Sequence, residues 1–239
     1  MTPAPERFTP FQLVCHGLTR LLSHVILWVT VDGLDRDLPK RGPLIVAINH
    51  ASALDPPLAT GYLAPALGRQ LHWLAKRELF EDRLLGPIVR GYGALPVSRD
   101  AADADAYRTA RAVLDAGRVL AVSPEGTRSP DGALQPAKPG VALLAARSGV
   151  AILPVGIGDL DRFLPRHAKI PRLFRRVTLR IGEPFTLDIP TGPERRAALE
   201  AATTDIMVRI GGLLPERQWG AYAAQIRERL ADRGSGRGG

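Results

Sequence analysis

The chain has 239 residues, 45% hydrophobic and 23% charged, which suits one large α/β domain or two small ones and excludes a disordered chain. Lys and Arg number 32 against 24 Asp and Glu, and the pI is about 10.3, so a polyanionic partner is expected. With 5% aromatic residues, not interleaved with the basic ones as stacking platforms for single strands would require, an anionic lipid surface is favoured over nucleic acid, and the single cysteine, Cys15, excludes an internal disulfide or a cysteine cluster for zinc.

Residues 1–10 read as a Pro-rich, disordered lead-in. Residues 11–31 are mostly apolar, and His16, Arg20 and His24, spaced by four, share one helical face. No uninterrupted apolar stretch here reaches the ~18–20 residues that span a bilayer, and the flanks are not those of a signal peptide. The segment reads as an amphipathic helix, with extended backbone allowed from Val29 onwards. Two placements stay open: in a membrane interface with Trp28 as anchor, or packed on the domain's own core.

Leu44–Ile48 is an unbroken apolar run with branched side chains, the pattern of a buried parallel strand. A helix follows Pro57 to about Leu67, then a strand at 71–75 and a helical stretch ending near Tyr92. A short strand is expected at 94–97, a helix at 101–116 and a buried strand at 119–122. Next come a helix at 140–148, a strand at 150–156 and an irregular basic segment, 158–173, with Arg162, Arg166, His167, Lys169 and Arg172. An alternating strand occupies 177–181, Thr191 and Glu194 form a capping box for a helix to about Gly211, and Pro215 starts a last helix. Residues 231–239 read as a flexible tail. This alternation predicts a single α/β domain over 32–230, with a largely parallel mixed sheet flanked by helices and an N-terminal amphipathic helix before it.

In such sheets functional groups collect beyond the strand C-terminal ends. Three polar clusters fall there: 49–55, 98–100 and 123–129. Within the first, His50 and Asp55 have the spacing of a general base and the carboxylate that orients it, provided the loop folds back. Asp55 before two prolines is equally a helix N-cap, with Pro56 at the first helical position. Ser52 lies between them without a nucleophile elbow, which disfavours a serine hydrolase. The third cluster offers Gly126 for close backbone approach to an anion, with Thr127, Arg128 and Ser129 as donors; its other reading is a plain β-turn. Arg99 suits either a phosphate or a local pair with Asp100. No two histidines have metal-ligand spacing.

The stretch Asn49-His50-Ala51-Ser52-Ala53-Leu54-Asp55 resembles the N-H-x-S-x-x-D signature of the glycerolipid acyltransferase family, typified by 1-acylglycerol-3-phosphate acyltransferase. Gly93-Ala94-Leu95-Pro96-Val97-Ser98-Arg99 is similar to the family's second block, with Lys76 and Phe80 leading into it. Pro124-Glu125-Gly126-Thr127-Arg128-Ser129 resembles the third block and Ile152-Leu153-Pro154-Val155 the fourth; Ile181-Gly182-Glu183-Pro184 is a further family feature. The resemblance covers roughly residues 29–185. It departs at Val97 and Ser98, at Ser123 before the third block, and at Gly156 after the fourth, positions that bear on pocket shape.

The resemblance implies acyl transfer from acyl-CoA or acyl-carrier protein to the free hydroxyl of a lysophospholipid, first of all 1-acyl-sn-glycerol-3-phosphate. His50 would act as general base and Asp55 as its orienting carboxylate. Lys76, Arg99, Glu125, Gly126, Thr127 and Arg128 would form the acceptor site. No cofactor, metal or nucleic acid is implied. The enzyme is expected as a peripheral or monotopic protein at the cytoplasmic face of the membrane, where Lys40, Arg41 and the basic residues of 162–176 add attraction to anionic lipid. Glycerol-3-phosphate or a lyso-ornithine lipid as acceptor, and a non-catalytic protein binding anionic lipid, are the alternatives.

Overall fold

The computed structural model describes residues 8–97, 102–166, 168 and 170–235. Leu44–Ile48 (β2), with no polar side chain to keep in water, is buried along its whole length and lies inside a seven-stranded sheet. The other strands are β1 (Leu27–Asp32), β3 (Leu71–Lys76), β4 (Ala94–Val97), β5 (Val119–Val122), β6 (Ile152–Gly158) and β7 (Arg175–Ile181). They are ordered β1-β7-β6-β2-β5-β3-β4. From β6 to β4 all neighbours are parallel. β7 runs antiparallel to β6 and carries β1 parallel to itself at the edge. The expected single α/β domain with a largely parallel mixed sheet is what the chain forms.

Alternation along β2 sorts its side chains into two layers. Leu44, Val46 and Ile48 join Leu58, Leu63 and Leu67 of α2 (Asp55–Leu67). Ile45 and Ala47 face the opposite way, toward α5 (Ala102–Asp115), α6 (Gly140–Ser148) and α8 (Arg195–Gly211). The remaining helices are α1 (Pro10–Ile26), α3 (Glu78–Glu81), α4 (Leu85–Gly91), α7 (Leu160–Phe163) and α9 (Ala223–Ser235).

The N-terminal expectations need two corrections. Thr9 and Pro10 are not lead-in: Thr9 Oγ1 accepts from Gln12 N at 3.2 Å and Thr9 N donates to Gln12 Oε1 at 2.9 Å, a reciprocal cap. Residues 1–7 lie outside the described residues. The helix expected over 11–31 ends at Ile26, because residues 27–32 find a ladder partner in β7.

The packing of α1 also reverses the usual amphipathic arrangement. Its polar side faces the domain, where Arg20 Nε donates to Gly61 O at 2.8 Å, and the hydroxyls of Thr19 and Ser23 bond those of Tyr92 and Tyr62 at 2.6 and 2.7 Å. Phe11, Leu13, Val14, Leu18, Leu21, Leu22 and Val25 point outward.

Elsewhere the differences are local. The helical stretch before Tyr92 breaks at 82–84, where the Asp82 carboxylate caps the next turn by accepting from Leu84 N and Leu85 N, both at 2.8 Å. No side-chain cap bond starts α8, so Thr191 and Glu194 do not form the expected box. Two 3-10 turns, Glu216–Gln218 and Gly220–Tyr222, precede the last helix, which continues to Ser235 through the start of the expected tail. Residues 236–239 lie outside the described residues.

Candidate active site

The parallel strands β2, β3, β5 and β6 end at one edge of the sheet, and the loops leaving them meet there. Asn49, buried at the end of β2, ties that end to β6: its Nδ2 donates to Ile157 O at 3.0 Å and its Oδ1 accepts from Ile157 N at 2.8 Å. The next residue, His50, is thereby fixed above the middle of the sheet.

Asp55 is the first residue of α2, and Pro56 and Pro57 after it have no N–H to be capped. Its carboxylate turns back into the loop instead. Oδ2 accepts from Ala51 N and Ser52 N, both at 2.8 Å, and bonds His50 Nδ1 at 2.9 Å. The expectation that Asp55 caps the helix is corrected on this point: the carboxylate caps the turn before it. Burial is the largest effect and holds the Asp55 carboxyl above its usual range, although the His50 ring and the two amides pull it back down. Three donors converging on one oxygen suit the charged form. A charged Asp55 keeps the proton on Nδ1 and leaves Nε2 with its lone pair. The His50 side chain is 27% exposed against 1% for Asp55, so the ring can be reached from outside while its partner cannot.

The turn after β5 grips the same loop by its backbone. Glu125, 4% exposed, accepts from His50 N through Oε1 at 2.8 Å and from Gln135 N through Oε2 at 2.9 Å. Ser129 N donates to His50 O at 2.8 Å. Both carboxylate oxygens of Glu125 are therefore engaged with backbone, and burial raises its pKa to about 7. Its neighbour Gly126, at φ 69°, is exposed together with Thr127, and Arg128 is half-buried. The Ser129 hydroxyl bonds the Asp131 carboxylate at 2.9 Å and accepts from Gly132 N at 2.9 Å, which fixes the turn rather than offering a donor outward.

Ser52 Oγ donates to Leu164 O at 3.4 Å and accepts from Leu54 N at 3.3 Å, so its hydroxyl is committed to backbone partners, one in its own loop and one in the loop after α7. Lys76 ends β3 and is exposed; with β5 between β3 and β2, it stands about 10 Å along the edge from the β2 end. Arg99, with Ser98 and Asp100, lies outside the described residues. Two residues near the site escaped the sequence reading. Asn49 was visible in its motif, but its tie to Ile157 spans 108 residues. Lys138 has no motif at all, yet its Cδ lies 3.6 Å from where a Cβ on Gly126 would stand. Among the described residues no group of three or more His, Cys, Asp or Glu side chains is placed to hold a metal ion.

The family model described as Acyltransferase matches residues 29–158, a span that contains both halves of this site. The chain belongs to the acyltransferase family. A 1-acyl-sn-glycerol-3-phosphate acyltransferase of Arabidopsis chloroplasts is 27% identical over 170 residues, covering 65% of this chain and 46% of that protein. The enzyme of that name from Bacillus subtilis is 27% identical over 152 residues, covering 62% of this chain and 70% of its own. The crystal structure of the 1-acyl-sn-glycerophosphate acyltransferase PlsC from Thermotoga maritima superposes with a TM-score of 0.64 at 26% identity, covering 82% of this chain and 78% of that one. This acyltransferase-family chain spans about half the length of the chloroplast relatives it matches.

Proposed function

We propose that this protein moves a fatty acyl chain from a thioester, acyl-CoA or acyl-carrier protein, to the free hydroxyl of a lysophospholipid, with 1-acyl-sn-glycerol-3-phosphate as acceptor and phosphatidate as product. The observation that carries the reading is the 2.9 Å bond between His50 Nδ1 and buried Asp55. It turns the other ring nitrogen into a proton acceptor at the open edge of the sheet. His50 Nε2 takes the proton of the acceptor hydroxyl as its oxygen attacks the thioester carbonyl. Asp55 stabilises the imidazolium, and collapse of the tetrahedral intermediate breaks the C–S bond. The departing thiolate takes the proton back from His50. The acceptor is itself the nucleophile, in keeping with a Ser52 hydroxyl that is committed elsewhere.

Lys76, Arg99 and Arg128 are assigned to the acceptor phosphate, with Gly126 and Thr127 as the floor of its site. Glu125 takes a different part from the one the resemblance implies: with both oxygens on backbone amides it is a positioning residue for the His50 loop. The acceptor is a lipid, so the protein must work at a bilayer. Among the described residues no helix is long and apolar enough to cross a membrane, and the outward apolar face of α1 supports peripheral attachment, on the cytoplasmic side where the thioester donors are.

The test is an acyl-transfer assay with purified protein, both donors and three acceptors: lysophosphatidate, glycerol-3-phosphate and a lyso-ornithine lipid. Products are identified by mass. Phosphatidate is expected, and His50→Ala should lower kcat on the order of 10³-fold with the fold intact. A His50→Ala protein that turns over normally would overturn the mechanism. A preference for another acceptor would overturn the substrate.

A further inference from the structure

The loop from α7 to β7 carries a combination unlike the rest of the surface. Ile170 is 80% exposed, Phe174 59% and Leu173 46%, and Arg172, Arg175 and Arg176 are exposed beside them. Among the described residues these three guanidiniums meet no carboxylate. Arg162 and Arg166, earlier in the same basic segment, are exposed but engaged locally: Arg162 pairs with Asp159 at 3.4 Å, and Arg166 Nη1 donates to Arg128 O at 2.8 Å. His167 and Lys169 lie outside the described residues. Phe174 sits at φ 57°, a region that disfavours an aromatic residue, and its N–H is fixed on Ile26 O at 2.9 Å. An aromatic side chain held outward in a strained conformation points to a function outside the fold.

The position of this loop matters. Its start is tied to both catalytic loops, through Ser52 Oγ to Leu164 O and Arg166 to Arg128 O. Its end abuts the last residue of α1, whose apolar face is outward, and Trp28, 56% exposed, is in register with Arg176.

We infer that residues 170–176 form a second membrane contact, separate from α1: Ile170, Leu173 and Phe174 enter the boundary between headgroups and acyl chains, and Arg172, Arg175 and Arg176 bind phosphates of anionic lipids. The inference rests on the peripheral-membrane reading above and adds to it the contact that lays the His50 edge against the lipid. Three bulky apolar side chains among arginines match a bilayer, which is apolar a few ångströms below an anionic surface. Nucleic acid would use the arginines and gain nothing from Ile170 or Leu173.

The experiment uses the full chain and co-sedimentation with vesicles of phosphatidylcholine, alone or with added phosphatidylglycerol. Phe174→Asn with Leu173→Ser removes two of the three apolar side chains, and Asn tolerates the left-handed backbone. This variant should bind both vesicle types about tenfold more weakly. Changing Arg172, Arg175 and Arg176 together to Gln should weaken binding to the anionic vesicles on the order of 100-fold and leave the neutral ones unaffected. Both variants should keep their melting temperature and their turnover of a dispersed short-chain acceptor. If they bind like the parent while Leu18→Asp in α1 does not bind, the inference fails and the peripheral reading stands. If the parent itself binds neither vesicle, both fall. Loss of the short-chain activity would make the loop part of the catalytic structure and overturn a docking role.

Discussion

Asp55 and Glu125 hold the His50 loop from two sides, one by the ring and one by the backbone, and they differ in what their removal should do. Glu125→Ala leaves the amides of His50 and Gln135 without acceptors, at a cost of about 1–3 kcal/mol each if they stay dry. As a positioning residue it should show a fall in kcat with the acceptor KM nearly constant, measured alongside urea unfolding. A KM effect alone would return Glu125 to the acceptor site. The same side chain makes stability depend on pH. Its folded pKa is about 7 against an ordinary 4.5, so between those values the folded protein keeps a proton that the unfolded chain releases. Stability therefore falls as pH rises through that window, by roughly 3 kcal/mol in all. Unfolding curves for the parent and Glu125→Gln should diverge across it; parallel curves would place the titration elsewhere. None of this was legible in the motif. Pro-Glu-Gly-Thr-Arg-Ser displays a carboxylate next to phosphate donors, and only the 75-residue contact to His50 N reveals whom it serves. His50 with Asp55, by contrast, lies within one loop, so their spacing offered the pair directly, beside the reading of Asp55 as a helix cap.

Among the elements, α1 shows where periodicity stops informing. The sequence marks an amphipathic helix but cannot say which side faces in, because the partners of Thr19, Arg20 and Ser23 lie 73, 41 and 39 residues away. Those bonds satisfy Thr19, Arg20 and Ser23 of the inward polar stripe and leave the apolar stripe on the outside, while buried His16 keeps both ring nitrogens without a hydrogen-bond partner among the described residues. Gly61 sets how closely α1 can lie on α2: a Cβ there would come within 2.7 Å of Thr19 Cγ2 and 2.9 Å of its Cβ. Gly61→Ala should lift α1 and destabilise the protein by about 1–3 kcal/mol, read by thermal unfolding. Leu21→Ser on the outward face should stay within about 0.5 kcal/mol of the parent and show its effect only on vesicles. Equal effects of the two substitutions would mean that α1 does not pack as described. β1 and the start of β7 were hidden for a similar reason. Leu27-Trp28 reads as the end of a helix until Arg175 and Arg176 arrive to pair with it, whereas the all-apolar β2 declares itself within five residues.

At the scale of the whole molecule, the central parallel strands were legible because hydrophobic runs alternate with helices, while the antiparallel turn from β6 to β7 depends on a loop with no regular pattern. That turn has a consequence for charge. By reversing β7 it brings the beginning of the strand, with Arg175 and Arg176, to the edge where β6 ends and the His50 loop lies. Arg175 and Arg176 thus add positive charge to the face that meets lipid in our reading, while Arg217, bonded to Asp159 and Asp161, is neutralised internally. Surface attraction of this kind is screened over about 10 Å at 0.1 M salt and about 3 Å at 1 M, whereas the His50–Asp55 pair is shielded by burial. Raising salt should therefore release the protein from anionic vesicles and slow turnover of vesicle-borne acceptor. The rate with a dispersed short-chain acceptor should change far less. Equal loss with both acceptors would show that the basic charge serves substrate binding in the site and not attachment of the enzyme to the bilayer.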